Sequence, residues 1–383
     1  MEIEVTQDKL SKALNNVSRI ANGKVTLPVL NNVLIRVDDG KVSLVTTNLD
    51  MAVMDFLPVS GSKNGVITVP AKLLAEFVSN LPKGETIKIK SEDTKVTISA
   101  GKYTSTMNGS PADDFPELPE INEDAAVVFK MGVDEFKAGI TSVIIASSND
   151  LTRPALTGVY FNTYDGVLAV AATDGYRLAE KKLISGVKSE IKVIVPSGTL
   201  QEVLRSISDD VEEIEISFND DLVRFRLGEV EVISKLIDGS YPEYQRLIPK
   251  DSKVKLELDR DELVRVTKLA ALFARSTSGS IICEAKAPDT FSVKSVASEL
   301  GGNDSFIATT VNEDGKVTVS SRYLIDALNV LDSKEITFEF SSLAPVILHN
   351  KSKDDYTHIV MPINSWLLNP SILLIFATTQ PTT

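Results

Sequence analysis

One pattern occurs three times in this 383-residue chain, and this internal repeat constrains the fold more than any other feature. Each time, a β-branched run ends, a proline or small polar residue follows, and a short amphipathic helix begins. The leading leucines of these helices, Leu74, Leu200 and Leu324, are spaced by 126 and 124 residues. In the middle helix the apolar face has the spacing i, i+3, i+4, i+7 and consists of Leu200, Val203, Leu204 and Ile207. The pattern predicts three copies of one domain.

Other landmarks keep the same spacing. Pro28 in TLPVL lies 126 residues before Pro154 in TRPAL, and the Pro-Glu pairs after Phe115 and Tyr241 are separated equally. Three further predicted helices begin around Leu10, Phe136 and Leu263. This period exceeds the roughly 20–50 residues of a solenoid repeat and suits an ordinary domain. We predict domains over residues 1–122, 123–250 and 251–365, and an atypical apolar tail over 366–383.

The order of predicted elements indicates an α+β fold. Each copy contains a strand, a helix, about three strands, a second helix and more strands, with Asp-Gly hairpin turns at Asp39 and Asp165. Two helices cannot cover both faces of the strands in a copy, so we expect them on one face of antiparallel sheets.

Composition excludes several classes of protein. A single cysteine, Cys283, permits no intrachain disulfide and favours a reducing compartment. The N-terminus is acidic and does not have the pattern of a signal peptide. The longest apolar run, 366–376, is interrupted by Asn369 and Pro370 and is shorter than the roughly 20 residues of a membrane span. We therefore expect a cytoplasmic protein with no membrane partner.

The charge is distributed unevenly. The formal net charge is −13, yet the six predicted helices hold 11 Lys and Arg against 9 Asp and Glu. Weakly basic helices and acidic sheets suit loose contact with a long polyanion. A chance distribution explains the same counts, because sign asymmetry is a weak signal.

No sequence motif indicates catalysis. The chain contains no Gly-rich phosphate loop, HExxH, CxxC or GxSxG motif. Its two histidines, His349 and His358, fall on predicted strands, where core or surface roles are commoner than catalysis. We expect no catalytic residues, metal or cofactor. A hydrolase or transferase whose site carries no recognisable motif is the alternative, and it would show one deep pocket with perturbed carboxylates.

Eight segments carry a resemblance to a known family. They are TLPVLNNVLI (26–35), VPAKLLAEFVSNLP (69–82), DFPELP (114–119), TRPALTGVYF (152–161), AATDGYRLA (171–179), VIVP (193–196), SKLIDGSYPEYQRLIP (234–249) and IVMPI (359–363). Through them the chain resembles the bacterial DNA sliding clamps, the beta subunits of DNA polymerase III, from Met1 to about Ile363.

This resemblance implies a non-enzymatic processivity factor. A head-to-tail homodimer would form a ring of six domains, with helices inside and sheets outside, around double-stranded DNA. The ring would tether the replicative DNA polymerase, and it would also bind the clamp loader and other proteins that carry clamp-binding peptides. The alternative is a clamp-like protein-binding scaffold that does not encircle DNA.

The resemblance also implies a pocket for peptides of the type Gln-Leu-x-Leu-Phe. The residues at matching positions are Leu156, Thr173, Gly175, Tyr176, Arg177, Leu178, Pro242, Leu247, Pro345, Ile359, Met361 and Pro362. Aliphatic and Met walls suit Leu and Phe anchors, and Arg177 is expected to orient the peptide. The alternative for Leu178 and Ile359 is that they are core residues, as apolar residues mostly are.

Two more sets of residues follow from the resemblance and from the helix stripes. The expected DNA contacts are Lys24, Lys9, Lys12, Arg19, Arg265 and Arg275. The expected dimer interface contains Met107, Leu272 and Phe273.

The chain departs from the family at its end. Family members usually close with Arg-Leu after the Met-Pro motif, but here Asn364 and Ser365 follow Ile363, and the apolar tail comes next. A disordered tail is one interpretation. The other is that residues 373–376, Leu-Leu-Ile-Phe, mimic the peptide ligand and dock in the pocket.

Overall fold

The computed structural model describes residues 1–21, 27–123, 126–297, 301–342 and 344–363. Lys24 and the tail over 366–383 lie outside the described residues, so the predictions made for them stay predictions. The helices are α1 (Gln7–Val17), α2 (Ala71–Ser79), α3 (Val133–Ile144), α4 (Ser197–Ser206), α5 (Arg260–Phe273) and α6 (Ser321–Val330).

The strands of the first third are β1 (Glu2–Thr6), β2 (Asn32–Asp38), β3 (Lys41–Thr47), β4 (Met51–Pro58), β5 (Ser60–Lys63), β6 (Gly65–Pro70), β7 (Thr86–Glu92), β8 (Lys95–Ala100) and β9 (Tyr103–Asn108). Those of the middle third are β10 (Val127–Gly132), β11 (Gly158–Tyr164), β12 (Val167–Thr173), β13 (Arg177–Ser185), β14 (Lys192–Pro196), β15 (Glu213–Phe218), β16 (Leu222–Leu227) and β17 (Val230–Lys235). Those of the last third are β18 (Val254–Asp259), β19 (Ser280–Lys286), β20 (Thr290–Ala297), β21 (Gly301–Ala308), β22 (Gly315–Ser320), β23 (Glu335–Phe340), β24 (Val346–Asn350) and β25 (Lys353–Val360).

Local chemistry sets where the helices begin and end. The side chain of Asp259 accepts a hydrogen bond from the Glu262 amide at 2.9 Å and caps the start of α5. Helix α1 ends at Val17, whereas the sequence predicts a helix that extends to about Ala21. The hydroxyl of Thr46 donates to the Val17 carbonyl at 2.5 Å, which satisfies one of the carbonyls left free at the helix end.

The predicted helix faces are confirmed in part. Leu74, Leu200, Val203 and Leu324 are fully buried. However, Leu204 and Ile207 of the middle helix face are only half-buried, and so are Phe77 in α2 and Phe273 in α5, which the same spacing predicts to face inward. Phe77 and Phe273 each lie at the margin of a buried stripe, next to an exposed leucine of the same helix.

By their contacts, the described residues divide into two compact units. Unit 1 contains residues 1–134 and 198–236, and unit 2 contains residues 135–197 and those from 237 onward. Unit 1 has a five-stranded sheet, β5-β1-β7-β8-β9, and an eight-stranded sheet, β10-β15-β16-β17-β4-β3-β2-β6. Unit 2 has an eight-stranded sheet, β14-β11-β12-β13-β25-β24-β23-β18, and a four-stranded sheet, β21-β20-β19-β22.

The fold class predicted from the sequence is confirmed, since these sheets are antiparallel and carry amphipathic helices. The division into two units keeps each sheet whole and places part of the middle copy in each unit. The three domain boundaries drawn from the repeat therefore stay a prediction.

Both eight-stranded sheets are made by the same kind of pairing between copies. In unit 1, β17 of the middle copy pairs with β4 of the first copy, with Ser234 opposite Met51. In unit 2, β25 of the last copy pairs with β13 of the middle copy, with Val360 opposite Arg177. Met51 and Arg177 are 126 residues apart, and so are Ser234 and Val360. The repeat therefore includes the strand pairing between copies. Strands β9 and β21 are left at sheet edges.

We expect Gly158→Ala to destabilise the protein by about 2 kcal/mol, because it overpacks the start of β11. A Cβ there would lie 2.5 Å from Cγ2 of Ile194 and 2.7 Å from the Val195 carbonyl oxygen. Gly198→Ala is the matched control, since its Cβ meets no atom of the described residues within 4 Å and alanine favours the helix. Thermal unfolding midpoints measure both, and an unchanged midpoint for Gly158→Ala would contradict the packing of β11 against β14.

Candidate functional site

Twelve residues were predicted to form a peptide pocket, and the strand register brings several of them together in unit 2. Arg177 lies opposite Val360, and Val360 lies opposite Val346, so three neighbouring strands end at one place. Beyond that point the Met361 amide donates to the Tyr176 carbonyl at 2.9 Å. Pro345 directly precedes Val346 and lies at the same end of the sheet.

A tightly bonded turn, residues 173–177, links β12 to β13 at this place. The Thr173 hydroxyl donates to the Arg177 carbonyl at 2.6 Å and accepts from the Gly175 amide at 3.0 Å. The Asp174 carboxylate accepts from the amides of Tyr176 and Arg177 at 2.9 and 3.0 Å. Gly175 has a φ of +90°, a conformation that glycine adopts without strain. The turn therefore holds these side chains in fixed positions at the strand ends.

The charge of Arg177 is satisfied inside the protein. Its Nε lies 3.1 Å from Asp174 Oδ2, and its Nη1 lies 2.6 Å from Asp326 Oδ2 on α6. Its guanidinium carbon lies 4.6 Å from the ring centre of Tyr323, a cation–π contact. Burial raises the pKa of Asp174, while the charge of Arg177 opposes that rise. Because its side chain is only 7% exposed, Arg177 shapes one wall of the site and is not a free cation at the surface.

Apolar and aromatic side chains form the floor of the site. One cluster contains Ala171, Leu178, Tyr244, Ile359 and Met361. The ring of Tyr241 stacks on Tyr160 with 4.7 Å between ring centres, and its hydroxyl accepts from the Thr173 amide at 2.9 Å. Leu178 and Ile359 are 2% and 1% exposed, which favours the alternative that they are core residues supporting the site.

The remaining predicted pocket residues have different surroundings. Buried positions in unit 2 are held by Leu156, Pro242, Leu247, Pro345 and Pro362. Tyr176 stands out because it is 47% exposed, and its ring lies 6.4 Å from the ring of Tyr323. Tyr323 and Asp326 were missed by sequence reasoning. Their i, i+3 spacing puts them on one side of α6, but nothing in the sequence connects that side with Arg177, about 150 residues away.

Two of the cations predicted to contact DNA are engaged within unit 1. Lys12 Nζ lies 3.0 Å from Asp210 Oδ1. The Ser208 hydroxyl and Lys12 together lower the pKa of Asp210 to about 2. Arg19 Nε lies 2.5 Å from Glu202 Oε1, and the Glu202 side chain is buried. Exposed positions are held by Lys9, Arg265 and Arg275, which leaves these three more accessible to a ligand than Arg19.

The residues predicted for a dimer interface differ in exposure. Leu272 is 51% exposed, Phe273 is half-buried, and Met107 is 4% exposed in β9. Sequence reasoning missed other exposed apolar side chains on α2, α5, β20 and β21, namely Leu73, Leu269, Val296 and Phe306. Their signal in the sequence is weak, because a single apolar residue on a polar face is common.

The described residues contain no group of three His, Cys, Asp or Glu side chains placed to hold a metal ion. Burial raises the pKa of the Cys283 thiol to about 12, so this thiol is inert at neutral pH. Burial, with the nearby charge of Arg177, lowers the pKa of His358 to about 3. In the ranges that the structure covers, no helix has both the length and the apolar character needed to cross a membrane.

Three family models match the chain. The models of the N-terminal, central and C-terminal domains of the DNA polymerase III beta subunit match residues 1–119, 130–243 and 245–364. Together the matches span nearly the whole chain.

Individual relatives are similar over the same length. A beta sliding clamp of Staphylococcus aureus is 29% identical over 379 residues, which cover 96% of this chain and 100% of the relative. A solved DnaN sliding clamp from Pseudomonas aeruginosa, bound to griselimycin, is 26% identical with a TM-score of 0.90, over 95% of this chain and 99% of that one. The DNA polymerase sliding clamp of Bacillus subtilis is 27% identical with a TM-score of 0.89, over 95% and 99%.

We expect stability to fall as pH drops from about 6.5 towards 3, and His358 to contribute to the fall. Between those values the unfolded histidine is protonated and the buried one is not, so the unfolded state binds more protons. His358 Nδ1 lies 2.8 Å from the Tyr356 hydroxyl, which donates to the Ser142 carbonyl, and Nε2 has no hydrogen-bond partner among the described residues. Protonation would therefore place an unsatisfied charge in the core.

The measurement compares unfolding midpoints of the wild type and His358→Gln between pH 4.5 and 7.5. The midpoint of the wild type should fall more steeply below pH 6.5. Parallel curves for the two proteins would show that His358 does not titrate differently on unfolding.

Proposed function

Because the chain belongs to the DNA polymerase III beta subunit family, the bacterial DNA sliding clamps, we propose that two copies close head to tail into a ring around duplex DNA. The family is a processivity factor of DNA replication and not an enzyme. The rest of the proposal concerns how this chain performs that function: its ring contact, its DNA contacts and its peptide site.

The single observation that carries the proposal is a pair of corresponding sheet edges that no other described strand covers. In both junctions inside the chain, the last strand of one copy pairs with the corresponding strand of the preceding copy, as β17 does with β4 and β25 with β13. One strand of each kind remains. Strand β9, the last of the first copy, corresponds to β17 and β25, and β21 of the last copy corresponds to β4 and β13. Pairing β9 of one protomer with β21 of its partner would use both. Two such contacts close a ring, because the contact is heterologous.

Exposed apolar side chains of the last copy and of the first copy support this pairing. Helix α5 packs across β20 and β21, and its flank carries Leu269 and Leu272, which are 45% and 51% exposed. Phe306 in β21 is 71% exposed. In the first copy, Leu73 on α2 is 51% exposed and Tyr103 on β9 is 42% exposed. Exposed apolar residues next to open strand edges are typical of protein–protein interfaces.

For DNA, we propose weak contact without tight binding. The exposed cations Lys9, Arg265 and Arg275 would meet phosphates, while Lys12 and Arg19 stay in their ion pairs. A net charge of −13 disfavours binding of DNA from the outside. Retention of the ring on DNA would then depend on encirclement, which leaves the ring free to slide. We propose that it does so in the cytoplasm, where replication takes place.

For partners, we propose that the site around Tyr176 binds peptides of the type Gln-Leu-x-Leu-Phe from the replicative polymerase, the clamp loader and other DNA-processing proteins. The apolar floor suits the Leu and Phe anchors. Binding would keep a polymerase near the primer end at high effective concentration, which gives processivity without tight DNA binding.

We expect Leu272→Asp to weaken dimerisation more than tenfold, because it places a charge in a desolvated interface. Sedimentation equilibrium measures the dimer. Retention on nicked circular DNA after loading, compared with the same plasmid linearised, measures encirclement. Val66→Asp, at a 42% exposed valine on β6, is the matched control and should change neither. A monomeric wild type, or equal retention on circular and linear DNA, would favour the non-encircling scaffold.

We expect Tyr176→Ala to weaken binding of a fluorescein-labelled Gln-Leu-Ser-Leu-Phe peptide severalfold. The ring is exposed, so its removal takes away contact area without opening the core. Fluorescence anisotropy measures the affinity, and Val66→Ala serves as the control. Equal affinity of Tyr176→Ala and wild type would place the peptide elsewhere.

A further inference from the structure

A turn in unit 1 has the same construction as the turn of the proposed peptide site. It spans residues 47–51 and lies 126 residues before residues 173–177. The Thr47 hydroxyl donates to the Met51 carbonyl at 2.9 Å and accepts from the Leu49 amide at 3.1 Å. Asn48 accepts from the amides of Asp50 and Met51, as Asp174 does in the other turn. The backbone of the unit 2 site is thus reproduced in unit 1.

The correspondence continues into the neighbouring strand. The Lys235 amide donates to the Asp50 carbonyl at 2.9 Å, at the positions that match Met361 and Tyr176. An apolar cluster lies beside each turn. The unit 1 cluster contains Val45, Phe115 and Ile233, and each is 126 residues before a residue of the unit 2 floor, namely Ala171, Tyr241 and Ile359.

The side chains around the two turns differ in charge. Unit 2 has arginine at three of the compared positions, whereas unit 1 has none there and has two acids. The pairs, unit 2 first, are Arg153 and Leu27, Tyr176 and Asp50, Arg177 and Met51, Arg246 and Glu120, and Met361 and Lys235. Arg177 is buried and paired with Asp174, whose unit 1 counterpart Asn48 is neutral. The difference at the surface therefore comes from Arg153 and Arg246 in unit 2 against Asp50 and Glu120 in unit 1, which makes the unit 1 surface the more acidic one.

Leu49 is an unexpected residue for its position. Its φ is +78°, matching the +90° of Gly175, and this conformation disfavours leucine. The side chain is nevertheless 45% exposed, so burial in the described fold does not offset the strain. In unit 2, a Cβ on Gly175 would lie 3.7 Å from Arg153, whose counterpart is Leu27. Leu27 is 47% exposed as well, so the turn and the position that corresponds to Arg153 each carry an exposed leucine.

A cleft adjoins the same cluster. Its volume is about 530 Å³, its apolar lining includes Leu34, Phe115 and Leu118, and Glu117, Glu120 and Arg36 line it as well. Leu34 and Phe115 belong to the cluster, and Val29, in the 3-10 turn that follows Leu27, packs against it. The cleft is of the size that a large apolar side chain can enter.

We propose that this part of unit 1, the 47–51 turn with Leu27 and the adjoining cleft, is a second peptide-binding site. It takes an extended segment with a Leu or Phe anchor flanked by Lys or Arg. The apolar anchor fits the exposed leucines and the cleft. The basic flanks fit Asp50, Glu117 and Glu120, which are exposed, although Lys235 lies 3.8 Å from Asp50 and Arg36 lines the cleft. The inference rests on the proposed peptide recognition in unit 2, whose turn it repeats with altered charge.

The test measures anisotropy of a fluorescein-labelled Lys-Leu-Lys-Leu-Phe-Lys peptide on the full chain, with Glu-Leu-Glu-Leu-Phe-Glu as the charge-reversed probe. The basic peptide should bind the wild type at least tenfold more tightly than the acidic one. Leu49→Gly should weaken binding of the basic peptide at least fivefold and raise the thermal unfolding midpoint, because glycine relieves the strained turn. A role for Leu49 in packing would lower the midpoint instead.

Any of three results would overturn the proposal. The basic peptide does not bind the wild type, it binds Leu49→Gly as well as the wild type, or the unfolding midpoint of Leu49→Gly is lower. The Gln-Leu-Ser-Leu-Phe peptide is measured in parallel. It should be weakened by Tyr176→Ala and not by Leu49→Gly. If the wild type binds the basic peptide but not the Gln-Leu-Ser-Leu-Phe peptide, the proposed unit 2 site is wrong and the unit 1 site stands. The two failures are therefore distinguishable.

Discussion

Main-chain hydrogen bonding between copies is the interaction on which the rest of the structure depends. The pairings of β17 with β4 and of β25 with β13 join strands from different copies into continuous eight-stranded sheets. Each pairing also aligns the ends of the strands. The turn before β13 and the end of β25 come together only because Arg177 and Val360 are opposite each other. The candidate site is therefore a product of the junction and not of either copy alone.

Much of the fold was predictable from periodicity, because burial follows spacing along a helix or strand. The apolar faces around Leu74, Leu200 and Leu324 and the α+β class belong to this part. The half-buried Leu204, Ile207, Phe77 and Phe273 were placed wrongly, since a position at the edge of a stripe depends on what packs beside it. The end of α1 depends on Thr46, which reaches Val17 from a strand 29 residues away along the chain.

The candidate site was predictable to a lesser degree. The resemblance supplied the turn at 173–177, whose hydrogen bonds are local and follow from Thr and Asp at fixed spacing. It did not supply Asp326 or Tyr323, because their contact with Arg177 depends on how α6 lies in the folded unit. Lys12 and Asp210, separated by 198 residues, form an ion pair for the same kind of reason. Long-range electrostatic partners leave no pattern in the sequence.

The strand pairing at each junction has a consequence for how such a chain can change over evolutionary time. The middle and last copies are not self-contained blocks, since the last strand of each pairs with a strand of the preceding copy. Recombination that replaces one copy by a related one must therefore transfer a matching edge together with the strand that covers it. A mismatched exchange would leave an open edge able to pair with other chains, so the three copies are expected to diversify in their loops and exposed turns while their junction strands change together.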